Sequence, residues 1–351
     1  MTEEGERPRR RPRYRGKHPR AFAEKYKERN PERYAETAAK VEASGKTPAG
    51  SHRPIMVGEV LDALRPRPGD VAVDATLGYG GHAAALLPRL VPGGRLIALE
   101  IDPIERPKTE ARLRGLGFGP DVLSVRASNF AGLPKVLAAE GLDGVDLVLA
   151  DLGVSSMQLD DPARGFTFKE DGPLDLRMNP NRGLPASALL ARLDAGKLAR
   201  LLRENSDEPH AEAIATAVVA AGRTEPVTTT GRLAAAVHAG LASFPQRLRE
   251  AEGTAPLARV FQALRIAVND ELSALDAFLA ALPSCLSPGG RVAILTFHSG
   301  EDRRVKHALR QGERAGLFSA VSREVIRPGP EERRANPRSS AAKLRSAVRA
   351  R

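Results

Sequence analysis

The chain has 351 residues, 42% of them hydrophobic, with 54 Lys/Arg against 43 Asp/Glu and a formal charge of +11. A single cysteine, Cys285, excludes an internal disulfide framework and a Cys-based zinc site, and no metal site is expected. No apolar run approaches a membrane span and the arginine-rich N-terminus lacks the apolar core of a secretory signal, so a soluble, cytoplasmic protein without membrane contact is expected.

The charge is segregated. Residues 1–51 carry 14 Lys/Arg against 8 Asp/Glu, residues 303–351 carry 14 against 4, and the stretch between them is slightly acidic. Two basic ends suit a polyanionic partner such as nucleic acid. The Arg/Pro/Gly mixture at 7–20 cannot bury a core, so 1–51 reads as a disordered basic extension, with a polar helix possible at 21–43 and a linker at 44–54.

From His52 onward the pattern alternates between strand and helix. IMVGEVLDAL (55–64) is helical. DVAVDATLG (70–78) is a buried strand, followed by a glycine turn and a helix start at HAAALLPRL. GGRLIALEID (93–102), VLSVRAS (122–128) and GVDLVLADLG (144–153) are three further strands separated by helical stretches. This rhythm predicts an α/β protein with a doubly wound parallel sheet and right-handed crossovers. Residues 158–253 break it with helical segments and read as an insertion within a core of 52–157 and 254–351. One long amphipathic helix is expected over 261–286, then a fifth strand at 289–299 and a terminal pair of strands at 318–326 and 342–350.

The loop DATLGYGGH (74–82) fits a loose dinucleotide pattern but is not a P-loop, since no G-K-[ST] follows. Asp74, Glu100, Asp102 and Asp151 stand at strand C-terminal ends, where an open α/β sheet binds its ligand. Carboxylates there repel a pyrophosphate and attract a sulfonium with an ammonium group, which favours S-adenosylmethionine over a nicotinamide cofactor. A helix N-cap is the alternative role of each acid, especially Asp102 before Pro103.

Longer motifs carry a resemblance. DLGVSSMQLDDPARGFTFKEDGPLDLRMNP (151–180) resembles the signature block of the bacterial 16S ribosomal RNA cytosine-N4 methyltransferase family, RsmH (MraW). So do HRPIMVGEVL (52–61), DATLGYGGH, RIAVNDEL (265–272), TFHSGEDRRVK (296–306) and NPRSSAAKLR (336–345). The resemblance implies a class I S-adenosylmethionine-dependent methyltransferase fold with a helical insertion domain that recognises substrate. The implied substrate is a cytosine in the decoding region (P site) of 16S rRNA within the small ribosomal subunit, not DNA, acted on by a monomer or homodimer. It places Gly80, Gly81 and His82 at the glycine-loop contacts, Glu100 (where the family commonly has Asp) before the ribose, and Phe130 against the adenine. Asp151 and Gln158 complete the pocket. Met157 and Gly300 stand where Pro and Leu are usual, and the extension 1–51 is expected to lack a counterpart in the typical member.

Cytosine N4 is conjugated with its ring, so acceptors that take its protons help to localise the lone pair. Asp151, or carbonyls beside it, is the expected acceptor. His298, ending the fifth strand, is the second catalytic candidate, for orienting the base or taking a proton; the alternative is a His satisfied by Glu301 or Asp302. Asn269 and Glu271 divide between capping and function. Arg164, Lys169, Arg177, Arg182, Arg333, Arg334 and Arg338 are candidate phosphate contacts around a base turned out of its stack. The rival functions are a non-catalytic rRNA assembly factor, a methyltransferase on another nucleic acid or on protein, and a nicotinamide-dependent dehydrogenase.

Overall fold

The computed structural model describes residues 54–351, so the expectations for 1–51 lie outside the described residues. Helix α1 (Val57–Leu64) leads into β1 (Val71–Asp74), followed by α2 (Gly81–Leu90), β2 (Arg95–Leu99), α3 (Glu105–Gly115), β3 (Leu123–Arg126), α4 (Leu133–Ala139) and β4 (Val145–Asp151). The short α5 (Ser156–Asp160) opens a helical stretch comprising α6 (Ala186–Leu190), α7 (Ala195–Ser206), α8 (Ala211–Thr224), α9 (Thr230–Leu241), α10 (Gln246–Glu252) and α11 (Ala255–Asn269). The chain returns to the sheet through α12 (Glu271–Cys285) and β5 (Leu286–Thr296). It ends with α13 (Ser299–Arg314), β6 (Phe318–Val321), α14 (Pro330–Ala335) and β7 (Lys343–Arg349).

The seven strands lie in the order β3-β2-β1-β4-β5-β7-β6. All neighbouring pairs from β3 to β5 are parallel; β7 runs antiparallel to both β5 and β6. Side chains alternate between two buried faces, which is why the strands read as continuous apolar runs. Val73, Ile97, Val148 and Ile294 face α4, α12 and α13; Ala72, Leu96, Leu147 and Ala293 face α1, α2 and α3. A third apolar cluster, with Leu198, Leu202, Ile214, Val218, Leu233 and Val237 at its heart, sits within the helical stretch.

The single helix expected over 261–286 is two helices. Asp270 takes a left-handed conformation (φ 51°) between α11 and α12. The two halves serve different cores: Val260, Phe261 and Leu264 pack in the helical cluster, whereas Leu275, Phe278 and Leu282 pack on the sheet. A straight helix cannot point its apolar face at both, and Asp is among the residues that tolerate this backbone region best. No helix among the described residues is long and apolar enough to cross a membrane.

Candidate active site

The carboxyl ends of β1, β2 and β4 converge on one rim. Asp74 closes β1 and is almost completely buried; its Oδ1 accepts the N–H of Thr76 (3.1 Å), while its Oδ2 is buried with no hydrogen-bond partner among the described residues. Thr76 ties the two central strands, since its Oγ1 accepts the N–H of Asp151 (2.6 Å). A threonine two residues past the strand end carries no periodic or charge signal, so only the pairing of β1 with β4 exposes its role.

Gly80 has φ 71° and precedes α2; a Cβ there would come within 2.8 Å of Thr109 Cγ2, so only glycine fits. Gly81 packs as closely on Pro54. These two glycines lay the first turn of α2 along the rim and bring His82 Nε2 to 3.5 Å from Asp151 Oδ2. That is ion-pair distance without the alignment of a hydrogen bond, and His82 Nε2 and Asp151 Oδ1 both lack a hydrogen-bond partner. Burial pushes the Asp74 carboxyl up to about 6, against the pull of His82 and the Thr76 N–H. Burial opposes a charged imidazole, yet Asp151 and Asp74 together hold the His82 pKa above its ordinary value.

Glu100 follows β2 and folds back, accepting the N–H of Gly78 at Oε2 and of Asp102 at Oε1, both at 2.8 Å. Burial pushes it up to about 7 despite these two bonds. Each oxygen keeps a further lone pair for a ligand hydroxyl. Asp102 is fully buried and accepts the N–H groups of Ile104 (2.8 Å) and Glu105 (3.3 Å) at the start of α3, the capping role weighed for it. Its Oδ2 accepts from Gln158 Nε2 and from Arg164 Nη1, both at 2.7 Å. Gln158 also completes a capping box with Ser155, so both ends of its amide are engaged. Phe130, after β3, packs edge-on against Phe278 with centroids 5.6 Å apart.

His298 follows β5, the neighbour of β4, and precedes α13. Its Nε2 lies 3.2 Å from Glu301 Oε1, but neither ring nitrogen has an aligned hydrogen bond. Burial would raise the Glu301 carboxyl; the His298 ring, the Phe297 N–H and Arg265 bring it below the ordinary range. A Cβ on Gly300 would lie 3.1 Å from His298 Nδ1, so glycine here leaves room for the ring. Three of the candidate phosphate contacts are occupied otherwise. Arg164 is buried against Asp102, Arg177 forks onto Asp175, and Arg338 forks onto Asp160. Lys169, Arg182, Arg333 and Arg334 are exposed. Glu271 pairs with Arg265 through two 2.8 Å bonds, and Asn269 bonds to the 176–178 backbone, so both act within the fold.

An antiparallel β7 between β5 and β6 separates this sheet from the all-parallel dinucleotide fold, whose sixth strand follows the fifth. With the rim of buried carboxylates and their orphaned oxygens, it defines a class I methyltransferase, and the dehydrogenase alternative falls. The chain belongs to the MraW methylase family, whose model matches residues 49–350. It is 49% identical over 343 residues to ribosomal RNA small subunit methyltransferase H 1 of Lachnoclostridium phytofermentans, covering 97% of this chain and 93% of that one. It is 46% identical to ribosomal RNA small subunit methyltransferase H 2 of Alkaliphilus metalliredigens, covering 100% of both. Ribosomal RNA small subunit methyltransferase H of Anaeromyxobacter sp. (strain K) is 44% identical over 312 residues, 84% of this chain and 96% of its own. The alignment with the Alkaliphilus protein runs the whole length of this chain, residues 1–51 included. The methyl donor of this class is S-adenosylmethionine. The rim fits it: the unpartnered Asp74 Oδ2 and Asp151 Oδ1 are anionic acceptors suited to a cationic ligand and disfavour a diphosphate.

Proposed function

We propose that the protein transfers a methyl group from S-adenosylmethionine to the exocyclic N4 of a cytosine in the decoding region of small-subunit rRNA. The observation that carries the chemistry is the Asp151 carboxylate. Its backbone is fixed by Thr76 and its Oδ2 faces His82, which leaves the buried Oδ1 without a partner among the described residues and able to accept a hydrogen bond from the amine. Relatives named as ribosomal RNA small subunit methyltransferases support small-subunit RNA as the substrate; the cytosine and its N4 rest on the resemblance carried by residues 151–180.

Bound donor supplies a methyl group on a sulfonium. Asp74, Glu100, Phe130, the Gly80–Gly81 turn, His82 and Gln158 are the residues that would hold it, Gln158 as a wall fixed by Asp102. Asp151 then orients the amine, and His298 at the end of the adjacent strand lines the base side. The helical stretch from 158 to 253 and the segment 330–341 form the walls of the slot for a base turned out of its stack. Asp160 and Arg338 join these two walls. Transfer of radiolabelled methyl to small subunits that lack the modification, followed by mass spectrometry of the nucleosides, tests the proposal. N4-methylcytidine is the expected product; label on another nucleoside, or none, overturns it.

A further inference from the structure

The backbone of residues 176–178 is held by side chains instead of by a helix or strand. Leu176 is a buried non-glycine residue at φ 64°, a conformation that persists only where its surroundings impose it. Asn269 Nδ2 donates to Leu176 O (2.8 Å), and Asn269 Oδ1 accepts the N–H of Met178 (2.7 Å). Arg164 Nη2 donates to the carbonyls of Arg177 (3.1 Å) and Met178 (2.9 Å), while its Nη1 is anchored on Asp102. Asp175 adds a two-pronged bond to Arg177. Three successive carbonyls are thus fixed by two residues from distant parts of the chain. Asp102 in turn donates its N–H to Glu100, so the cofactor-side carboxylate and the strained segment share one hydrogen-bonded chain.

Beyond the clamp the chain makes a tight turn. Asn179 Oδ1 accepts the N–H of Asn181 (3.0 Å), and Asn179 O accepts that of Arg182 (3.1 Å). Asn181, Arg182, Gly183 and Leu184 are all exposed, Leu184 at 42%. A cation for phosphate, an amide for a base edge and an apolar side chain able to wedge against a base form a compact nucleic-acid contact set. A buried ion pair adds little to stability compared with apolar packing, but it fixes geometry.

We propose that Arg164 and Asn269 are positioning residues that hold the turn 179–184 as an RNA-contacting edge at a set distance from the cofactor rim. This rests on the reading that the substrate is small-subunit RNA. The test uses the full chain, unmodified small subunits and S-adenosylhomocysteine as the cofactor probe. Arg164→Lys keeps a cation for Asp102 but cannot reach the 177 and 178 carbonyls, and Asn269→Ala removes both the donor to Leu176 and the acceptor of the Met178 N–H. Both should bind S-adenosylhomocysteine within about threefold of wild type. Both should lose small-subunit affinity by about tenfold to a hundredfold, as displacement of a positioned contact does. Amide exchange at Met178 should accelerate in both. The tip variants Arg182→Ala and Leu184→Ala should lose small-subunit affinity without accelerating that amide.

Tip variants that bind small subunits like wild type overturn the proposal. So do clamp variants that lose probe and subunit affinity equally, since the strut then serves the cofactor pocket. If a clamp variant fails to fold, the tip variants decide. Wild-type protein that ignores small subunits defeats the RNA reading instead, and methylation of a base other than cytosine leaves the proposal standing.

Discussion

Two buried polar clusters lie side by side in this molecule and are built on opposite rules. Around Asp102 every partner is supplied: Arg164, Gln158 and two backbone N–H groups converge on one carboxylate. Around Asp74, His82 and Asp151 the same types of groups are enclosed, yet Asp74 Oδ2, His82 Nε2 and Asp151 Oδ1 have no hydrogen-bond partner among the described residues. Leaving a buried polar atom unpaired costs about 1–3 kcal/mol, so the second cluster is maintained at the expense of stability. The contrast separates a joint that holds the fold from a cluster whose partner is a ligand.

The comparison breaks first if the joint is removed. Arg164→Met should destabilise the protein by about 3–5 kcal/mol in urea unfolding, because it leaves the Asp102 charge buried and alone. Asp74→Asn should do the reverse. Burial pushes the Asp74 carboxyl up to about 6 in the folded chain from an ordinary 3.8, so the folded state holds its proton more tightly than the unfolded state. Stability is then full below the unfolded value, falls as pH rises through the window from 3.8 to about 6, and stays low above it. The substitution should remove that slope and raise stability at pH 7 by up to about 3 kcal/mol, while weakening the affinity for S-adenosylmethionine measured by calorimetry. Unfolding curves from acid to neutral pH check both signs. Asp151→Ala should lower methyl transfer by about a hundredfold, with a melting temperature lower by only a few degrees, because Oδ1 has no partner in the fold and Oδ2 faces only His82 without an aligned hydrogen bond. The smallest effect is expected from Gly300→Ala. Helix propensity favours alanine by up to about 1 kcal/mol, but its Cβ crowds the His298 ring, so a gain in melting temperature with a shifted pH–rate profile would link that ring to turnover.

Much of the sheet could be read directly, because strands buried on both faces leave continuous apolar runs and glycine turns between them. The convergence of Asp74, Glu100 and Asp151 was legible as charge at strand ends. What stayed hidden depended on partners far away in sequence. Arg164 looked like a surface cation because Asp102, 62 residues earlier, gives no local sign of facing it. Asn269 divided between capping and function because the backbone it clamps lies 91–93 residues away. The break at Asp270 was invisible because apolar periodicity continues across it; only the switch of burial partner demands a bend.

The antiparallel position of β7 bears on how the molecule is assembled. Among the described residues, 343–349 follow every other strand along the chain, yet they occupy an interior lane of the sheet, and β6 joins the other strands through them. During synthesis β5 must therefore wait with one border uncovered until β7 follows, and deletion of residues 343–349 would forfeit two strands at once.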